Sequence, residues 1–142
     1  MSQENVRIVK HMYASFHKGD IGAVLDTFSH DIDWLQSGPK DIFPFAGPFH
    51  GHGGMQQYFK GLKEALDIQH FVELEFIGHE DRVIVFGTEK GLVRPTGGHY
   101  EYEWTHVFTM QGGKVVKYRD YYDTAAVLQA FQQAEAPILG AA

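Results

Sequence analysis

Three side chains carry the acid–base potential of this chain: Asp120, His106 and Glu89. Asp120 lies in Lys114-Val-Val-Lys-Tyr-Arg-Asp-Tyr-Tyr-Asp123, which alternates like a strand. With a period of two, Val116, Tyr118, Asp120 and Tyr122 share one side, while Lys117, Arg119, Tyr121 and Asp123 share the other. The first side is apolar, so its surroundings disfavour a charge on Asp120. Such a carboxyl is paired with a base (Arg7, Arg82 or Arg119), bonded to a ring N–H, or held with a raised pKa for proton transfer.

In His99-Tyr-Glu-Tyr-Glu-Trp-Thr-His-Val-Phe108, the residues Tyr100, Tyr102, Trp104, His106 and Phe108 share a face. His106 in that aromatic wall is either a hydrogen-bonded core histidine or a base, or polariser of a carbonyl, opposite the Asp. Glu89 shares a face with Val85, Gly87 and Gly91, and the two glycines leave room around it. It is expected to share a proton with Asp120 or His106, the alternative being an exposed Glu at a sheet edge. Tyr13, Trp34, Gln36, Tyr58, Phe59, Tyr102, Trp104 and Tyr122 are expected to line a pocket, against the alternative that they only fill the core. His50-Gly-His52 lacks a third ligand, so neither a metal nor any other cofactor is expected.

The elements that must position these groups follow from periodicity. Apolar residues at helical spacing predict helices over 2–17, capped by Ser2, over 20–28, capped by Asp20, and over 55–66. Asp31–Gln36 alternates as a strand, and the Pro- and Gly-rich segment 37–54 reads as a loop. Four further strands are expected near 69–78, 82–94, 98–111 and 114–122, joined by turns at Glu80-Asp81, Pro95–Gly98 and Gln111–Gly113. A last helix spans 124–134, capped by Asp123 or Thr124, before a loose tail with Pro137 and Gly140. Helices first and consecutive hairpins later make the class α+β: a cone-shaped, curved antiparallel sheet with N-terminal helices over one face, enclosing an apolar pocket, in one domain over 1–142.

Composition narrows the partners. The formal charge is −6 and there is no Lys/Arg run, which excludes the signature of nucleic-acid or anionic-membrane binding. With no Cys there is no thiol chemistry and no disulfide. No signal-like segment and no long apolar run is visible, so a cytoplasmic protein without a membrane span is expected. The 11 Phe, 7 Tyr and 2 Trp exceed what a small core needs, which fits an apolar small-molecule ligand or a subunit interface. Glu73, Glu75, Glu80, Asp81, Glu101 and Glu103 are expected on a solvated sheet face, where a homodimer would pair.

Element order and three local patterns resemble the SnoaL-like branch of the nuclear transport factor 2-like (cone-fold) superfamily. The patterns are Phe28-Ser-His-Asp-Ile-Asp-Trp34, Phe45-Ala-Gly-Pro-Phe-His-Gly51 with the helix carrying Tyr58-Phe59, and Gly113–Asp123, which is similar to the last strand of limonene epoxide hydrolase-like members. The resemblance implies Asp120 as the base of such enzymes. It puts Trp34 and Gln36 where their Tyr and Asn stand, Glu89 at the acid Asp, and Gly87 where an Arg is expected. Ketosteroid isomerases of the same fold imply Tyr13 and a protonated Asp120 or Glu89 as oxyanion donors, with the non-ionising Gln36 nearest the base position. Polyketide cyclases of the group imply a single Asp, for which Asp120 with His106 suffices. The expectation is cofactor-free isomerisation, cyclisation, dehydration or hydration of an apolar cyclic or polyketide-like molecule. The alternative is a non-catalytic binder or scaffold with a remnant pocket.

Overall fold

The computed structural model, which describes residues 2–132, runs α1 (Ser2–His17), α2 (Ile21–Asp26), β1 (Phe28–Gln36), β2 (Gly47–His50), α3 (Gly51–Ala65), β3 (Leu66–His79), β4 (Arg82–Val93), β5 (His99–Gln111), β6 (Lys114–Tyr122) and α4 (Thr124–Gln132). The strands form one curved, unclosed sheet in the order β2-β1-β6-β5-β4-β3, with helices over its inner face. The α+β architecture is as expected. β3 to β6 are consecutive antiparallel hairpins. One pair departs from the antiparallel expectation: β1 lies parallel to β6. No tight turn joins these two strands, so nothing local dictates their direction.

Caps and turns follow the residues. Asp20 Oδ1 accepts the Ala23 N–H at 3.1 Å to start α2, and Asp123 Oδ1 accepts the Ala126 N–H at 3.1 Å to start α4. Ser2 is the first helical residue of α1 rather than a cap outside it. The last two positions of the expected 124–134 helix, and the tail with Pro137 and Gly140, lie outside the described residues.

The segment 37–54 is not all loop. Gly47–His50 pairs with β1 as an edge strand, where Pro48 forfeits no interior ladder bond, and α3 begins at Gly51 instead of Met55. Three glycines at the start of α3 (Gly51, Gly53, Gly54) hide its helical signal, since Gly is a poor helix former. Phe28 opens β1 and Leu66 opens β3, each having been expected to end a helix. Both are buried all the same.

Parity holds except at bulges. On β6, register runs from Thr109↔Lys117 to Met110↔Val115, so Val116 is an extra residue and Val115 takes the inward place expected of Val116. From Tyr118 onward the alternation is as expected. Bulges in β3 turn Glu73 toward α1, where it accepts or shares a proton with His17 Nε2 at 2.7 Å, so it does not belong to the solvated face. Glu75, Glu80, Asp81, Glu101 and Glu103 are exposed. The outer face also exposes Val72, Leu74, Phe86 and Tyr121, with Leu74 at 65 % and Tyr121 at 60 %, so it is mixed rather than acidic.

Candidate functional site

Register fixes the inner wall as rows. Val83, Phe108 and Tyr118 form one row, with Trp34 of β1 stacked on Tyr118 at 3.5 Å and 10°. Val85, His106 and Asp120 form the next, then Gly87, Trp104 and Tyr122, then Glu89 and Tyr102. Helices α1 and α3 close the space with Tyr13, Phe16, Tyr58 and Phe59. All eleven residues expected at the site line this one cavity. Its free interior is about 60 Å³, within an envelope of about 640 Å³ that includes its open mouth. A buried benzene needs roughly 150 Å³, so a ring-sized ligand displaces rim side chains.

Asp120 is only 2 % exposed. None of Arg7, Arg82 and Arg119 pairs with it: Arg119 bonds Asp33, and Arg7 bonds Glu4. Its partner is Ser37, whose N–H donates to Oδ1 at 2.8 Å and whose hydroxyl donates to the Asp120 carbonyl at 2.7 Å. The parallel β1–β6 pairing brings Ser37 there, beyond the reach of strand parity. Burial pushes the Asp120 carboxyl up to about 7, outweighing the Ser37 bonds that pull it down.

His106 stands directly opposite Asp120 in register, but its hydrogen bond goes to Tyr13, with Nδ1 2.6 Å from the hydroxyl. Burial pushes His106 down to about 3 and raises Tyr13, so imidazole and phenol are both neutral at pH 7. We assign the Tyr13 O–H as donor to Nδ1, which leaves Nε2 carrying the ring proton. Trp104 stacks on His106 at 3.9 Å and 16°. Its indole Nε1–H is buried without an acceptor among the described residues, an uncommon state for an indole.

Glu89 is buried at 6 % exposure, which excludes the exposed sheet-edge alternative. No hydrogen bond among the described residues joins Glu89 to Asp120 or His106, although the Glu89 charge adds to the rise of the Asp120 pKa. Glu89 and Asp120 lie two strands and four residues apart in register on the same concave wall. Glu89 instead accepts the Tyr100 hydroxyl at 2.7 Å. Burial pushes it up to about 7 against the pull of the Tyr100 and Tyr102 hydroxyls.

Gly87 stands where the resemblance implies an Arg, and geometry explains its bareness. A Cβ there would lie 2.1 Å from Trp104 Cζ2 and 2.4 Å from the Val72 carbonyl oxygen, so the indole occupies the space of any side chain. Trp34 Nε1 donates to Gln36 Oε1 at 3.4 Å, tying together the two residues expected at a water clamp. His50 and His52 do not converge on a metal: His52 Nε2 bonds the Phe28 carbonyl at 3.0 Å, and no cluster of three metal-ligating side chains occurs among the described residues. Among the residues that sequence reasoning missed are Ser37, Tyr118, Phe71 and Phe45. Tyr118 was legible from β6 parity; Ser37 and Phe45 sit outside any periodic pattern.

Fold and cavity together define the nuclear transport factor 2-like class of cone-shaped α+β proteins. Residues 9–118 match the family model described as SnoaL-like domain, and the chain belongs to that family. It is similar to an NTF2-like protein from Burkholderia xenovorans LB400, at 32 % identity over 92 % of this chain and 98 % of that one, with a TM-score of 0.84. An NTF2-like protein from Burkholderia thailandensis E264 shares 28 % identity over 91 % and 98 % of the two chains, with a TM-score of 0.82. TerC, co-crystallised with polyporic acid, shares 26 % identity over 92 % and 99 %, with a TM-score of 0.81. No curated protein matches the chain. No helix among the described residues is long and apolar enough to cross a membrane.

Proposed function

We propose that this SnoaL-like protein is a cofactor-free acid–base catalyst acting on an apolar small molecule, with Asp120 as the group that gives or takes the proton. The observation that carries this is a carboxyl 2 % exposed on the cavity wall, held by Ser37 rather than by any base, with its pKa pushed up to about 7. A carboxyl poised there serves equally well as acid and as base at neutral pH. Neutral His106, oriented by Tyr13, offers an N–H donor to a substrate carbonyl or to the enolate formed from it. Tyr58, Phe59 and Tyr122, with Trp34 and Gln36 behind them, would hold the apolar body. Enolisation, and with it isomerisation, cyclisation or dehydration, is the reaction class. The co-crystallisation of TerC with polyporic acid supports a small-molecule ligand.

The test is deuterium exchange at the α-carbon of cyclopentanone in D2O, followed by NMR with wild type and Asp120→Asn. Exchange catalysed by wild type and lost in the variant is the expected result. An Asp120 carboxyl that titrates at the value of a free Asp in an NMR titration would sink the reading.

A non-catalytic binder is the second reading, favoured by the small free interior of about 60 Å³ and by the indole filling the space over Gly87. Ligand binding that is indifferent to Asp120→Asn, with no exchange in either protein, would select it. Under either reading the protein would pair as a homodimer through the outer sheet face, where Leu74 and Tyr121 are exposed.

A further inference from the structure

We propose that the Glu89 end of the cavity is a subsite for a positively charged nitrogen, and that the ligand is therefore a small apolar amine; this rests on the small-molecule reading of the cavity given above. Glu89 is buried, and its β4 neighbours on that face are Gly87 and Gly91, so no side chain of its own strand covers it. Tyr100 satisfies Oε2 and the Tyr102 hydroxyl also bears on the carboxylate, but neither supplies a positive charge and no basic side chain pairs with it. The cavity lining contains two acids, one neutral histidine and neither Lys nor Arg. No ion pair among the described residues involves Glu89 or Asp120.

Electrostatics then sorts the candidate ligands. A neutral hydroxyl would fill a lone pair but leave the charge uncompensated in a medium of low dielectric. An ammonium supplies both, and its bond to the carboxylate is charge-assisted. Tyr102 and Tyr122, ring centroids 5.0 Å apart, line the cavity beside Glu89 and add π-faces that attract cations. An anionic end would meet two acids and no base.

Position separates this subsite from Asp120. Asp120 has Ser37 on Oδ1 and lies two strands away in register, so a ligand anchored at Glu89 extends along the wall toward the proton-transfer group. The titratable groups facing Glu89 in the cavity are Tyr100 and Tyr102 from β5, Tyr122 from β6 and Tyr58 from α3, with Asp67 of β3 acting through Tyr100 and Asp120 further along the wall, while His70, Lys90, Glu101 and Glu103 share a surface pocket with it. The tyrosines stay protonated, since burial raises all of them. Among the acids and tyrosines of the cavity, Glu89 and Asp120 are the ones with pKa values near 7. Ionisation of Glu89 favours the ammonium, so amine affinity rises from pH 6 to pH 8.

Three single-ring probes of different charge test this: benzylamine, benzyl alcohol and benzoate, titrated at pH 6 and pH 8 with NMR and tryptophan fluorescence as readouts. At pH 8 benzylamine is expected to bind about ten-fold more tightly than benzyl alcohol, a modest charge-assisted gain, and benzoate not at all. Glu89→Gln is expected to abolish the preference while keeping the alcohol's affinity, and Asp120→Asn to keep the preference. Equal affinity for amine and alcohol in wild type overturns the subsite but leaves the cavity reading standing. Loss of the preference in Asp120→Asn and not in Glu89→Gln moves the ammonium to Asp120 and also overturns it. Failure of all three probes to bind overturns both readings. Amine affinity in wild type that does not rise from pH 6 to pH 8 overturns the subsite without relying on a variant's folding.

Discussion

Asp120 and His106 face each other across β5 and β6, and burial acts on them with opposite signs. A neutral Asp and a neutral His are both favoured in a low dielectric, so the acid's pKa rises from 3.8 to about 7 while the imidazole's falls from 6.5 to about 3. The stability linked to Asp120 is fully present below its unfolded value near 3.8 and is lost as pH rises through about 7. For His106 it is present above 6.5 and lost as pH falls toward 3. Asp120→Asn removes only the first contribution. The variant should therefore gain on wild type by on the order of 2–4 kcal/mol between pH 4 and pH 8. Urea denaturation of both proteins at the two pH values checks this, and a constant difference would contradict the raised Asp120 pKa. Tyr13→Phe leaves His106 Nδ1 without its 2.6 Å partner. It should cost about 1–3 kcal/mol and change the imidazole's tautomer balance, read from 15N shifts; an unchanged tautomer would refute the assigned Tyr13 donor.

At the scale of elements, the cavity depends on close strand packing at Gly87. Its missing side chain lets the indole of Trp104 lie flat against β4, where it stacks with His106 and, at 5.0 Å, with Phe71. Gly87→Ala puts a methyl against ring atoms and against the Val72 carbonyl of the neighbouring strand. Relief requires Trp104 to swing into the cavity or β3 to move. The expected cost is about 1–3 kcal/mol, together with a changed near-ultraviolet circular dichroism signal and weakened ligand binding. Native stability and spectrum in Gly87→Ala would mean that the indole does not rest on that glycine. The parallel pairing of β1 with β6 matters as much, because it alone delivers the Ser37 N–H to Asp120.

At the scale of the molecule, the sheet's inner face is closed by helices while its outer face mixes Glu75, Glu101 and Glu103 with exposed Val72, Leu74, Phe86 and Tyr121. Removing those apolar groups from water would favour pairing with a second sheet face. Sedimentation equilibrium is expected to find a dimer for wild type and a shift toward monomer for Leu74→Glu. A monomeric wild type would end the homodimer reading. Legibility also follows scale. Long hairpin strands with strict alternation, such as His99–Gln111, could be read directly because parity is a local property. β2 and the start of α3 could not, since Pro48 and the glycines of 51–54 carry turn signals that tertiary pairing overrides.

The sequence by itself determined which side chains look inward on regular strands, and so part of the cavity wall: period-two alternation orients Asp120, His106, Glu89 and Trp104 whatever their neighbours are. Tertiary structure alone decided who meets whom. Strand order and register set Asp120 beside Ser37 rather than an arginine, gave His106 to Tyr13, and carried Glu89 to the far end of the wall with Tyr100. Those distances arise from pairings between segments remote in the chain, and local periodicity contains no information about them.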